Sequence, residues 1–194
     1  MIPSPHILVI DEDQARSVIL KKALEDAGYA NVTTHLETGR IDLLVARIQP
    51  DVVIIDVDSP DRDTLEQMQV IHQQQPRPVV MFSEDEDQQT IRRALKAGVS
   101  AYIVDELKAK RVKPILEVAI ARFREYQALR DELNKVKTTL EDRKVIDKAK
   151  GLLMKYRHCS EDEAYKTLRQ QAMSQNLKIA ELAQNLINSV QMLS

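Results

Sequence analysis

"ILVIDED", residues 7–13, is an apolar run that ends in three acidic residues, and "VVIIDVD" at 52–58 follows the same pattern. Runs this short and this apolar are typical of strands buried on both faces of a parallel sheet. Three further runs lie at 32–35, 78–82 and 101–104. Amphipathic stretches separate the runs, at about 13–27, 37–48, 63–75 and 86–97. The alternation predicts an α/β domain with a doubly wound, five-stranded parallel sheet.

A long helix is predicted after this domain. From residue 113 to 156 the only glycine is Gly151, and the only proline is Pro114, which we place in the first helical turn. A seam follows a three-and-four spacing, mostly apolar but interrupted by Arg122: Ile115, Ala119, Arg122, Tyr126, Leu129, Leu133, Val136 and Leu140. This heptad pattern predicts a coiled-coil-like helix that pairs with a second copy of the chain. The alternative is a helix that lies back on its own α/β domain.

Two shorter helices are predicted after Tyr156. Ser160 and Glu163 form a capping-box pattern, and the last apolar face lies at about 178–192. With the end of the long helix they predict a C-terminal three-helix bundle. The domains expected are therefore 1–112 (α/β), 113–142 (linker helix) and 143–194 (helical module).

Composition limits the classes of protein to which the chain can belong. It has 194 residues, of which 43% are hydrophobic and 30% charged, a globular profile. No apolar run approaches the roughly 18 residues of a membrane span, and the N-terminus does not resemble a secretory signal. The single cysteine, Cys159, excludes an internal disulfide. We expect a cytoplasmic protein without membrane contact.

Charge is divided unequally along the chain. Residues 1–110 carry 12 Lys and Arg against 19 Asp and Glu, whereas residues 111–194 carry 16 against 11. The first part is thus net −7 and the second +5. A basic module in an otherwise acidic protein indicates an anionic partner, for which nucleic acid is the obvious candidate. Attraction between the two parts, or two simply solvated surfaces, would give the same sums.

Acidic residues gather where the predicted strands end. Asp11 and Glu12 follow the first strand, Asp56 ends the third and Ser83 the fourth. Carboxyl ends of strands meet at one edge of a doubly wound sheet, where functional groups collect. Carboxylates that converge repel one another unless a hard cation bridges them. The pattern therefore predicts an Mg²⁺ site of Asp11, Glu12 and Asp56, while no cofactor is required by the rest of the chain.

The motifs of this domain resemble the receiver domains of two-component response regulators. "ILVIDED" at 7–13, "VVIIDVDSPDRD" at 52–63, "VVMFSED" at 79–85 and "AGVSAYIVD" at 97–105 match in order and spacing, over about residues 5–120. The resemblance implies a flavodoxin-like receiver fold. It also implies roles for five residues: phosphoacceptor for Asp56, acidic metal pair for Asp11 and Glu12, switch hydroxyl for Ser83 and switch aromatic for Tyr102.

Two positions depart from the receiver pattern. Asp105 stands where the family has a lysine, and Glu84 follows the switch hydroxyl where the family has a small residue. Both changes add negative charge where an added phosphoryl group would lie. They favour a receiver that serves as a protein-docking surface over one that is phosphorylated at Asp56.

Basic residues are concentrated around the end of the long helix. Candidate nucleic-acid contacts are Arg143, Lys144, Lys148, Lys150, Gly151, Tyr165, Lys166 and Arg169. A glycine inside a helix costs about 1 kcal/mol relative to alanine, so Gly151 indicates either a closely approaching ligand or tight packing against the next helix. Arg and Lys at phosphates, with a tyrosine on which a base can stack, suit looped RNA.

The stretch "RKVIDKAKGLLMKYRHCSEDEAYKTLRQQAM" at 143–173 resembles the ANTAR domain, a three-helix antiterminator module. The resemblance runs from about 135 to 190 and implies binding, as a dimer, to leader RNA with paired hairpins that carry six-nucleotide loops. Together the two resemblances indicate an ANTAR-type response regulator, most similar to the NasT-type regulators of nitrate assimilation. That likeness implies a separate nitrate-sensing regulatory protein as partner.

Two other functions fit parts of the sequence. A phosphorylation-activated response regulator that binds duplex DNA is the main alternative, although no pair of helices has a polar recognition helix suited to the major groove. A magnesium-dependent phosphatase or phosphotransferase would use the acidic strand ends, but no second catalytic group accompanies them. We therefore expect a binding protein rather than an enzyme.

Overall fold

The computed structural model describes residues 4–36, 39–104 and 109–192. Five strands and their connecting helices come first, in strict alternation: β1 His6–Asp11, α1 Gln14–Asp26, β2 Asn31–His35, α2 Ile41–Ile48, β3 Val52–Val57, α3 Arg62–Gln74, β4 Val79–Ser83, α4 Gln88–Lys96 and β5 Ala101–Val104. Three helices follow: α5 Ala109–Arg157, α6 Glu161–Ser174 and α7 Ile179–Met192. The predicted fold class is confirmed.

All strand pairs are parallel, in the order β2-β1-β3-β4-β5. The strand order reverses between β1 and β3, which is where ligands bind in sheets of this kind. The register there pairs Asp11 with Asp56, and across the next pair of strands Val57 with Ser83. The sheet therefore brings these polar residues to one edge.

Two apolar layers cover the sheet. One contains β-strand residues such as Leu8 and Met81 with residues of α2, α3 and α4. The other contains Ile7 and Phe82 with residues of α1 and of α5. Continuous burial on both faces explains why the strands are apolar runs without alternation.

The long helix α5 answers both interpretations of the heptad pattern, each over part of its length. Ala119 is fully buried and Ile115 packs beside it on the sheet's second layer, so the first turns lie on the chain's own α/β domain. From Tyr126 onward the seam is exposed, at 61% for Leu129 and 53% for Leu133. By backbone contacts the chain divides into two compact units, Met1–Gln127 and Ala128–Ser194, at a point inside this helix.

The placement of Pro114 in the first turn of this helix was wrong. The helix begins at Ala109, so Pro114 lies inside it, in the second turn, where proline removes a backbone hydrogen bond. Burial of the adjacent Leu116 and Val112 against the sheet outweighs that cost.

The C-terminal unit has its own core, with Ala149 from α5, Leu168 from α6 and Ile187 from α7. Ile146, Leu153 and Leu186, expected as core residues, pack against it and are half-buried. The capping box forms as expected: Ser160 Oγ accepts from the Glu163 amide, and the Glu163 carboxylate accepts from the Ser160 amide.

Candidate functional sites

The acidic pocket lies at the carboxyl edge of the sheet. Asp11 is fully buried, Asp56 is 9% exposed and Ser83 is 3% exposed, so all three are held by the sheet rather than by loops. Glu12, by contrast, is exposed. The sequence correctly placed these residues at one edge, but burial separates Glu12 from the other three.

An arginine that the sequence analysis did not single out lies in this pocket. Asp13 caps α1 by accepting from the amides of Ala15 and Arg16, which fixes Arg16 in the first turn. The Arg16 Nη2 then lies 3.3 Å from Asp11 Oδ1, and its Nη1 lies 3.9 Å from Asp58 Oδ1. A basic residue at a helix N-terminus opposes the helix dipole, and this was the available signal that Arg16 has another reason to be there.

The pocket carboxylates hold protons more tightly than usual. Burial raises the pKa of Asp56 to about 6, and the charges of Asp11, Asp58 and Glu84 act in the same direction while Arg16 opposes them. Burial also raises the pKa of Asp11, against the hydrogen bond from the Asp13 amide and the charge of Arg16. The other oxygen of Asp11, Oδ2, is buried without a hydrogen-bond partner.

The residues implied as switch elements form one hydrogen-bonded group. Ser83 Oγ donates to the Asp58 carbonyl at 2.9 Å and accepts from the Asp85 amide at 3.1 Å. Tyr102 Oη donates to the Asp85 carbonyl at 2.9 Å, and its half-buried ring packs on the first apolar layer. Asp105 lies outside the described residues.

The pocket does not present a ready donor set for Mg²⁺. Within residues 4–36, 39–104 and 109–192, no three His, Cys, Asp or Glu side chains are arranged to hold a metal ion. Glu12 is exposed, and the Asp58 carbonyl already accepts from Ser83 and from the Glu84 amide. We therefore derive no step through a metal here.

The second site is the basic face of the C-terminal unit. On α5, Lys144, Lys148, Gly151 and Lys155 follow a 4-3-4 spacing and are all exposed, so they form one stripe. We call it the α5 basic stripe. Lys155 was not among the predicted contacts, although its spacing from Gly151 could have identified it.

Gly151 has open space around it. A Cβ built there meets nothing within 4 Å, which removes packing against the next helix as the reason for this glycine. The close approach of a ligand remains as an explanation.

Lys150 is placed differently from the other basic residues. Its Nζ lies 2.7 Å from Asp147 Oδ1 and 2.6 Å from Glu161 Oε1, and its side chain is 15% exposed. The hydrogen bonds from Asp147 and Glu161 raise the pKa of Lys150. Lys150 thus joins α5 to the start of α6, and a phosphate could reach its ammonium only by displacing a carboxylate.

The other predicted contacts are at the surface. Arg143, Lys166 and Arg169 are exposed, and Tyr165 is 41% exposed. On α6, Tyr165, Arg169 and Met173 are spaced four residues apart and so share one face. Tyr165 is therefore not a core residue, which was the structural alternative for it.

Comparison with known families agrees with this architecture. The response regulator receiver domain matches residues 7–117, and the ANTAR domain matches residues 134–187. The chain is a response regulator of the ANTAR type. Such proteins are a family of regulators rather than of enzymes.

Relatives of this ANTAR response regulator support the same assignment. The transcriptional regulatory protein PdtaR of Mycobacterium tuberculosis is 29% identical over 188 residues, which cover 96% of this chain and 91% of that protein. The nitrate regulatory protein of Klebsiella oxytoca is 35% identical over 83 residues, 43% of this chain and 21% of that protein.

A response regulator from Thermotoga maritima has the same receiver fold, with a TM-score of 0.54 and 24% identity, and the match covers 61% of this chain and 98% of that one. In the part of this ANTAR response regulator that the structure describes, no helix is both long and apolar enough to cross a membrane.

Proposed function

We propose that this protein is a transcription antitermination regulator that binds leader RNA through its C-terminal unit. Its targets are paired hairpins with six-nucleotide loops, bound by a homodimer. The observation that carries the proposal is Gly151, an exposed helical glycine within the α5 basic stripe whose lack of a side chain nothing inside the chain explains. An RNA backbone lying close along α5 would explain it.

The chemistry of the surrounding surface fits looped RNA. Lys144, Lys148 and Lys155 provide cations along α5, and the stripe contains no carboxylate. On α6, Tyr165 offers an exposed ring for stacking, with Arg169 one turn away. Splayed loop bases are recognised by such a combination of stacking and hydrogen bonding.

The exposed seam on α5 supports a second copy of the chain as the dimer partner. Leu129, Leu133, Val136 and Leu140 are each more than half exposed and follow heptad spacing. Such a seam is buried when two helices pair. Dimerisation would place two C-terminal units on one RNA, which matches a target with two hairpins.

We further propose that the receiver works as a docking domain for a signal-sensing protein, in nitrate or nitrite assimilation. The relative named a nitrate regulatory protein supports the pathway. A transcription reporter that carries a nitrate-assimilation leader should show readthrough only when this protein and nitrate are both present. Readthrough unchanged by deletion of the gene would contradict the pathway.

The RNA proposal is tested by Gly151→Ala. We expect RNA affinity to fall at least about tenfold, because the added methyl group keeps the backbone away from α5. The matched control is Gly39→Ala in the receiver, which also adds a Cβ into open space and should leave RNA binding unchanged. Equal affinity of Gly151→Ala and wild type would contradict a close RNA approach at this point.

A further inference from the structure

Arg16 occupies an unusual position for an arginine. It lies in the first turn of α1, at the positive end of the helix dipole, with its backbone fixed by the Asp13 cap. Its side chain turns into the acidic pocket, towards the fully buried Asp11. The favourable interaction with carboxylates must outweigh the unfavourable one with the helix.

The charges of the pocket act on Arg16 as those of a binding site act on a bound cation. Burial alone would lower the pKa of this guanidinium, but Asp56 and Asp11 raise it overall. Arg16 in turn opposes the rise in the pKa of Asp56. The two buried carboxylates and the arginine therefore form one electrostatic group.

The oxygen atoms that a divalent cation would need are largely engaged. Asp11 Oδ1 accepts from the Asp13 amide at 2.8 Å and from Arg16 at 3.3 Å. The Asp58 carbonyl accepts from Ser83 Oγ and from the Glu84 amide. A cation that reached the remaining oxygens of Asp11 and Asp56 would meet the positive charge of Arg16 at short range.

We propose that Arg16 is the built-in counter-cation of the acidic pocket and takes the place of the divalent cation. The pocket is then neutralised from within the chain and needs no metal to fold. Phosphoryl transfer to a carboxylate is normally assisted by a bound Mg²⁺ that offsets the charge of the transferring group. Arg16 thus keeps this receiver in a metal-free state suited to docking.

The test compares wild type with Arg16→Met, which keeps a long side chain and removes the charge. Free Mn²⁺ is measured by electron paramagnetic resonance during titration with protein, and thermal unfolding is followed with and without millimolar Mg²⁺. We expect no Mn²⁺ binding and no Mg²⁺ effect for wild type. Arg16→Met should bind Mn²⁺ at least about tenfold more tightly and be stabilised by Mg²⁺.

The matched control is Arg62→Met, which removes an arginine that pairs with Glu66 on the surface of α3. It should behave as wild type towards both metals. Mn²⁺ binding by wild type as tight as by Arg16→Met would overturn the proposal, and so would a folded Arg16→Met that gains no binding. If Arg16→Met does not fold, Arg16→Gln is judged by the same criteria, and Mn²⁺ binding by wild type overturns the proposal without any variant.

Discussion

At the scale of single residues, buried charge sets the properties of the receiver. Asp56 has its pKa raised from 3.8 to about 6 because it is buried beside Asp11. A carboxyl whose pKa is higher in the folded than in the unfolded state binds its proton more tightly when folded. Its contribution to stability is therefore complete below pH 3.8 and is lost as the pH rises through about 6.

This sign gives a prediction for Asp56→Asn, which resembles the protonated carboxyl at every pH. The free energy of unfolding of the variant, relative to wild type, should increase between pH 4 and pH 7 by on the order of 2 kcal/mol. Urea unfolding at several pH values measures it. The control Asp26→Asn removes an exposed carboxylate at the end of α1. A difference between Asp56→Asn and wild type that does not change with pH would contradict the burial argument.

Gly151 gives a second prediction at this scale, on stability rather than on binding. The residue is helical, and an added Cβ meets nothing. Gly151→Ala should therefore raise the free energy of unfolding of the C-terminal unit by up to about 1 kcal/mol, although we expect it to weaken RNA binding. Thermal unfolding followed by circular dichroism measures the change. A loss of stability would show that the residue is needed for folding and would remove it from the RNA argument.

The sequence predicted the residues whose position depends on the sheet, and it missed those whose position depends on side-chain geometry. Asp11, Asp56 and Ser83 could be placed because strands end at a common edge. Arg16 could not, since its approach to Asp11 depends on the turn that Asp13 fixes. The pairing of Lys150 with Glu161, 11 residues away, depends on how α6 packs on α5.

At the scale of elements, the junction of α5 and α6 depends on Lys150. Its ammonium contacts Asp147 on the same helix and Glu161 at the start of the next. We expect Lys150→Met to lower the melting temperature of the C-terminal unit, whereas Lys148→Met, an exposed lysine on the same helix, should not. Equal melting temperatures for both variants would contradict a structural role for Lys150.

The two lysine variants also distinguish structure from contact in RNA binding. Lys148→Met should weaken RNA binding and reduce its dependence on salt, because a phosphate contact is lost. Lys150→Met should weaken binding through the altered junction and leave the salt dependence nearly unchanged. Identical salt slopes for wild type and Lys148→Met would remove Lys148 from the interface.

The exposed seam of α5 predicts concentration-dependent dimerisation. Leu133→Asp places a charge in the middle of the seam, where it would be buried in a dimer. We expect the dimer dissociation constant to rise at least about a hundredfold, as measured by sedimentation equilibrium, with the helical circular dichroism retained. Asn134→Asp, which adds the same charge at an exposed neighbour outside the seam, is the control. An unchanged monomer–dimer equilibrium in Leu133→Asp would show that the seam is not the interface.

At the scale of the whole molecule, a receiver and an ANTAR module are joined through one 49-residue helix. The first part of the helix belongs to the receiver core, through Leu116 and Ala119, and its last part contributes Ala149 to the C-terminal core. The same element thus takes part in both units and carries the exposed seam between them. The linker segment of 113–142 expected from sequence corresponds to the middle of this helix and not to a separate domain with its own core.

The central claim is that the C-terminal unit recognises looped RNA specifically. The most direct measurement is binding of the purified protein to an RNA with two six-nucleotide-loop hairpins and to duplex DNA of equal length, across a salt series. We predict a preference for the RNA that persists as salt rises, because stacking and close backbone contact at Gly151 do not depend on counterion release. Equal affinity for both nucleic acids, falling together with salt, would reduce the basic face to a nonspecific phosphate-binding surface and contradict the claim.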